Sequence, residues 1–175
     1  NKLYSYIEAN RVAEDGLAEI IISYEAKDRS PEYDLVYSEP NTRSLWRGPM
    51  FRLMLRHRLL GWDTRRILSS QRFRVKDLMF NVIYATNLAA LGRLCQAAGE
   101  AEAAACYQSQ AARAEAAILR KMYDADTGLF FSLDSRRGRD RQLRMSTISS
   151  LLPLALATID LPRLDLAGTA AMLRE

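Results

Sequence analysis

One histidine and two cysteines among 175 residues exclude several common chemistries. A Ser-His-Asp triad and a His-based metal site both need a partnered imidazole. His57 stands alone, so no metal and no cofactor is expected. Cys95 and Cys106 form no Cys-x-x-Cys motif and read as small core residues on helical sequence rather than a disulfide. They favour a reducing compartment, and a cytoplasmic location is the expectation. No apolar run approaches the ~20 residues of a membrane span, and no basic segment followed by an apolar one opens the chain. The first residue is Asn, so a processed, trimmed or partial chain is expected.

What is present is ordinary for a globular domain with its own core: 49% hydrophobic and 26% charged residues. The net charge of +4 is unevenly spread. Nine arginines and one acid, Asp63, fall between Arg43 and Arg74, and Arg136, Arg137, Arg139, Arg141 and Arg144 form a second cluster. Such clusters raise the question of nucleic acid or another anion. Arg52 and Arg56 share a helix face, but no recognition module accompanies them, and arginines often form a solvated face with buried stems. No nucleic-acid partner is expected.

The pattern is mostly helical. Residues 2–10 form a short amphipathic piece, followed by a Gly loop and the apolar "LAEIII". Ser30 and Pro31 predict a helix start, as N-cap and first helical residue. Residues 49–60, apolar nearly all round, predict a buried helix ended by Gly61. Residues 76–98 predict a long helix with Leu78, Val82, Ala85 and Ala89 on one stripe, stopped by Gly99. Another helix follows over 101–123, with Ala103, Tyr107, Ala111, Ala114, Ile118 and Met122 at helical spacing. "DADTG" and "SRRGR" are turn chemistry around the short extended "LFFSLD", so a hairpin-like excursion is predicted there. Helices over 146–158 and 163–174 complete the series. No composition shift marks a second domain.

The stretch "SYEAKDRSPEYD" (residues 23–34) concentrates acids. Glu32 falls in the first turn, where negative charge suits the helix dipole. Asp28 precedes the cap, where a carboxylate either bonds free backbone N–H groups or points into a cleft as a general acid with raised pKa. Spacing alone leaves both readings open. Asp77 and Asn81, four apart, share a helix face. One reading makes them a helix-start acid and an amide bonded to a neighbouring loop; the other puts them at a site. Tyr24, Tyr33, Trp46 and Trp62 are candidates for stacking on a sugar or for packing.

"DRSPEYD" (Asp28 to Asp34) resembles the D-N-S-P-R-W/Y-D element of (α/α)6-barrel glycosidases of glycoside hydrolase family 63 and the trehalases. "EDGLAEIIISYE", "GWDTRRILSSQRFRVKDLMFNVIYATNLAAL", "MYDADTGLFFSLD" and "STISSLLPLAL" resemble further segments of that family, in its order, over nearly the whole chain. Glucosylglycerate and mannosylglycerate hydrolases are the members most similar. The resemblance implies an all-α, partial (α/α)6 toroid, with residues 1–175 part of a single catalytic domain. It implies inverting hydrolysis of an α-glycosidic bond in a small glucoside or oligosaccharide. Asp28 matches the general acid, with Tyr24, Glu25, Tyr33, Asp34, Asp77 and Asn81 as substrate-binding residues. Inversion places a general base across the sugar, the carboxyls roughly 6.5–9.5 Å apart. Two departures stand out. The family's E-S-G-x-D is "EAKD" here, so Glu25 matches only across a gap, and Lys27 adjoins the acid. No acid matches the base, which is expected outside this chain. The chain alone is then expected to be inactive, and to self-associate through an open half-barrel. A different class of reading is a tetratricopeptide-like scaffold built on "NLAALGRLCQAAGEAEAAACYQSQAARAEAAI". Only one such unit is found where about three are needed.

Overall fold

The structure is a computed structural model that describes residues 2–22, 30–37 and 48–156. Helix α1 (Lys2–Arg11) leads into a loop where Gly16 takes φ +91°. After the turn Pro31–Tyr33 comes α2 (Asp34–Tyr37), then α3 (Pro49–Leu59) and α4 (Thr64–Ser69). Strand β1 (Val75–Lys76) precedes the long α5 (Leu78–Ala97), which turns at Gly99 (φ +80°) into α6 (Ala101–Ala117). The chain then makes a π turn over Ile118–Met122 and four short strands: β2 (Tyr123–Asp124), β3 (Leu129–Phe130), β4 (Leu133–Asp134) and β5 (Arg141–Gln142).

The core is the α5–α6 hairpin. Leu78, Val82, Ala85 and Leu88 of α5 meet Ala111, Ala114 and Ala117 of α6, with Ile118, Met122, Ile7 and Leu17 closing the ends. Alanine on α6 lets the axes come close, and each leucine buried this way contributes about 1.5–3 kcal/mol. The approach is tightest at Gly92, where a Cβ would sit 2.8 Å from Gln108 Cγ and 3.3 Å from the Ala104 carbonyl oxygen. At 20 residues α5 is long and apolar enough to cross a bilayer by length and composition, contrary to the sequence expectation that no stretch is. In the fold its stripe is covered by α6 and α1, and Asn81 is wholly buried within it.

The excursion read at 123–144 is two small antiparallel sheets. β2 pairs β3 around the Asp124–Gly128 turn, where Thr127 Oγ1 donates to Asp124. β4 lies between β1 and β5, matching Val75 to Asp134 and Leu133 to Gln142. This three-stranded patch abuts the N-terminus of α5 and a second core of Ile20, Ile22, Tyr33, Val36, Phe73 and Leu143.

Three expectations are corrected. Helix α3 is not buried all round: Met50, Leu53 and His57 face inward, while Leu55 and Leu59 are exposed. Arginines at 52, 56 and 58 interrupt its apolar surface and leave one buried stripe at spacing three and four. Residues 148–155 form a 3-10 helix rather than an α-helix. Pro153 lies inside it and has no N–H to give the α ladder. Cys106 is exposed and Cys95 half-buried, so neither is a core residue; both are free thiols. The helix expected at 163–174 lies outside the described residues.

Candidate active site

The motif's described half begins at Ser30, whose extended backbone (φ −62°, ψ 126°) turns the chain into Pro31 at the first helical position. Its hydroxyl donates to Glu32 Oε1 at 2.9 Å, and Glu32, the first-turn acid, is nearly fully buried. Tyr33 is completely buried. Its ring stands edge-on to Phe73 at 5.3 Å, and its hydroxyl donates to Asp77 Oδ2 at 2.9 Å. Asp34, half-buried, opens α2 beside it and closes the turn with an N–H bond to the Pro31 carbonyl.

Asp77 caps α5. Its Oδ1 accepts from the Phe80 N–H at 2.8 Å, and Ser132 Oγ accepts from the Leu78 N–H at 3.0 Å, so two of the helix's free donors are satisfied. One turn on, Asn81 Oδ1 accepts from the Ala18 N–H at 2.7 Å, while its Nδ2 donates to the carbonyls of Ala18 (2.9 Å) and Asp77 (2.8 Å). The structure thus joins Tyr33, Asp77 and Asn81 into one buried chain that fixes the motif and the segment before it to the start of α5. Asp77 and Asn81 occupy the helix-start and loop-bonding places that one sequence reading gave them. Asp28, Tyr24 and Glu25, and also Trp46, lie outside the described residues. Trp62 is partly exposed, at φ +58°, with its ring edge-on to buried His57. Burial holds the His57 imidazole below its ordinary pKa. Among the described residues no group of three or more His, Cys, Asp or Glu could hold a metal ion.

Two charge clusters behind the motif escape sequence reasoning. Glu19, almost fully buried, is held bidentately by Arg74, which approaches from the segment leading into β1. Lys76, likewise buried, donates to Asp15 Oδ2 at 2.8 Å and to Asp140 at 3.1 Å. Lys121 reaches the same two carboxylates at 2.5 and 2.6 Å, and Ser135 Oγ donates to Asp140 at 2.7 Å. Burial alone would raise the pKa of both aspartates, but the hydrogen bonds from the two lysines outweigh it. They hold Asp15 below its ordinary value and, together with the Ser135 hydroxyl, bring Asp140 to about 2. The available signal was a lone charge inside an apolar run for Glu19 in "LAEIII"; Lys76, between Arg74 and Asp77, offered none. Partners more than fifty residues away carry no local signature.

Packed helical hairpins with small strands and a motif-bearing turn gathered at one helix end define a piece of an (α/α)6 toroid of the glycosidase type. The chain belongs to the family of the mannosylglycerate hydrolase MGH1-like glycoside hydrolase domain, whose model matches residues 1–173. Solved structures share the fold. A GH63 mannosylglycerate hydrolase from Thermus thermophilus in complex with glucose is 24% identical, with a TM-score of 0.71 over 86% of this chain and 37% of that one. A GH63 mannosylglycerate hydrolase from the same organism in complex with Tris and D-glycerate gives 23% identity and a TM-score of 0.70, covering 86% of this chain and 41% of that one. An uncharacterized conserved protein from the same organism gives 23%, 0.69, 86% and 41%. The chain therefore spans only 37–41% of the length of these neighbours. No curated protein matches it.

Proposed function

We propose that this chain is part of a single (α/α)6 catalytic domain that hydrolyses an α-glycosidic bond in a small glucoside or oligosaccharide, with inversion. Asp28 protonates the leaving oxygen, Tyr24, Glu25 and Asp34 serve substrate binding, buried Tyr33 helps to hold the acid-bearing segment, and a general base outside this chain activates water on the opposite face. The observation that carries the reading is the seating of the Ser30–Asp34 turn on the start of α5 through the Tyr33–Asp77 hydrogen bond, in a chain that matches a glycoside hydrolase domain over residues 1–173. Asp77 and Asn81 then act by holding the acid-bearing segment, since their described hydrogen bonds go to Tyr33, Phe80, Ala18 and the α5 backbone. A small anionic glucoside suits neighbours crystallised with glucose and with D-glycerate. The chain by itself hydrolyses nothing, because inversion needs both carboxyls.

The test uses a complete-length parent protein and a panel of α-glucosides including glucosylglycerate and trehalose. Asp28→Asn is expected to lower kcat by about 10²–10⁴-fold, the range for loss of a positioned proton donor. Unchanged turnover on every substrate cleaved by the parent overturns the assignment.

A further inference from the structure

The two arginine clusters that are far apart in sequence converge on one cleft. It has a volume of about 1050 Å³, the upper end of small-ligand sites, and opens between α2, α3, the turn at Gln71–Arg72 and the loop between β4 and β5. Arg52 and Arg56 enter one turn apart from α3, Arg72 from the turn, Arg137 and Arg139 from the loop, and Arg141 from the start of β5. Among the described residues the only acid on the lining, Asp134, is taken by Arg136, whose Nε and terminal nitrogen grip its carboxylate at 2.9 and 2.8 Å. Among the same residues no carboxylate pairs with Arg56, Arg72, Arg137, Arg139 or Arg141.

The loop is built to hold its charges at the mouth. Arg137 sits at φ +62° and Gly138 at φ +70°, and the Arg137 N–H donates to Gln71 Oε1 at 3.0 Å, which ties the loop to the turn carrying Arg72. Left-handed backbone at a non-glycine residue is costly and persists only where neighbouring contacts hold it. Like charges so arranged repel one another unless an anion lies among them. Leu53, Val36 and Pro49 supply an apolar floor below the guanidinium groups.

We propose that this cleft binds a small polyanion, a molecule carrying at least two phosphate or sulfate ester groups. The guanidinium fork matches paired oxyanion oxygens, and arginines arriving from three segments suit several charged groups rather than one carboxylate. A single-stranded nucleic acid needs a row of stacking aromatics along a basic groove, and among the described residues Tyr37 is the one aromatic lining the cleft. Binding here goes beyond glycoside hydrolysis, does not depend on it, and is measured without turnover.

The experiment is titration calorimetry on the complete-length parent protein at low ionic strength, with inorganic pyrophosphate and a sulfated disaccharide as probes. Saturable binding of either is expected, the tighter of the two naming the source of the anionic groups. Joint replacement Arg56→Gln and Arg141→Gln is expected to weaken it by roughly tenfold or more. Arg93→Gln, an exposed position on α5 away from the cleft, is expected to leave it within about twofold. Thermal melts check that all variants fold; both replaced arginines are exposed. Absence of saturable binding by both probes overturns the proposal, as does an equal loss in Arg93→Gln. A short single-stranded oligonucleotide bound roughly tenfold tighter than either probe overturns it in favour of nucleic acid.

Discussion

Asn81 shows how much one side chain holds. Its amide pairs with both the N–H and the carbonyl of Ala18, as a strand neighbour would, and also reaches the Asp77 carbonyl. Removing it leaves two buried backbone groups without partners inside the core, each costing about 1–3 kcal/mol. Asn81→Ala is therefore expected to destabilise the chain by about 2–4 kcal/mol in urea denaturation. A change below about 0.5 kcal/mol, the level of a surface substitution, contradicts this role. The same residue shows why spacing left two readings open. An asparagine four residues after an aspartate has the same helix face whether it meets a loop or a ligand.

At the scale of elements, the four charges Asp15, Lys76, Lys121 and Asp140 connect the Gly16 loop, β1, the π turn and the arginine-bearing loop. Lys76 is buried and the other three are partly exposed; charges drawn out of water in this way need partners, and removing one strands the others. Both aspartates have pKa values below the ordinary 3.8. A depressed carboxyl contributes stability that is present above the unfolded value and lost as pH falls through the folded one. The loss from Asp140 thus runs from 3.8 down to about 2. Lys121 is raised above 10.5 by its two carboxylates, despite some burial, so its contribution is complete below that value and is lost above it. Melting temperature measured against pH should fall on both sides of this window. Asp140→Asn should lower it at neutral pH and flatten the acid limb. An acid limb unchanged in the variant assigns the dependence to other groups.

For the whole molecule, the toroid's incompleteness matters most. The chain spans 37–41% of its structural neighbours, and Leu55 and Leu59 of α3, Leu94 of α5 and Ile148 are exposed. Apolar side chains left on open faces are covered by the rest of a barrel or by another molecule. The isolated chain is expected to self-associate, with light scattering giving a mass that rises with concentration. A sharp monomer across the range counts against it.

Where structure followed from neighbours within a few residues, the sequence was sufficient. Ser30 and Pro31 start a helical turn because one extends the backbone and the other presets φ. Asp77 starts α5 because its side chain reaches an N–H three residues on, and Gly99 ends it because the turn needs positive φ. The α5 and α6 stripes follow from 3.6-residue periodicity, and "DADTG" from local turn chemistry. The motif segments, read in order, also carried the family. Tertiary structure alone decided which side of α3 is wet, that Glu19 and Lys76 are buried with distant partners, and that arginines from 52–72 and 136–141 share one cleft. Hydrogen-bonded turns are set by adjacent residues, whereas burial and charge pairing depend on which segments the fold brings together.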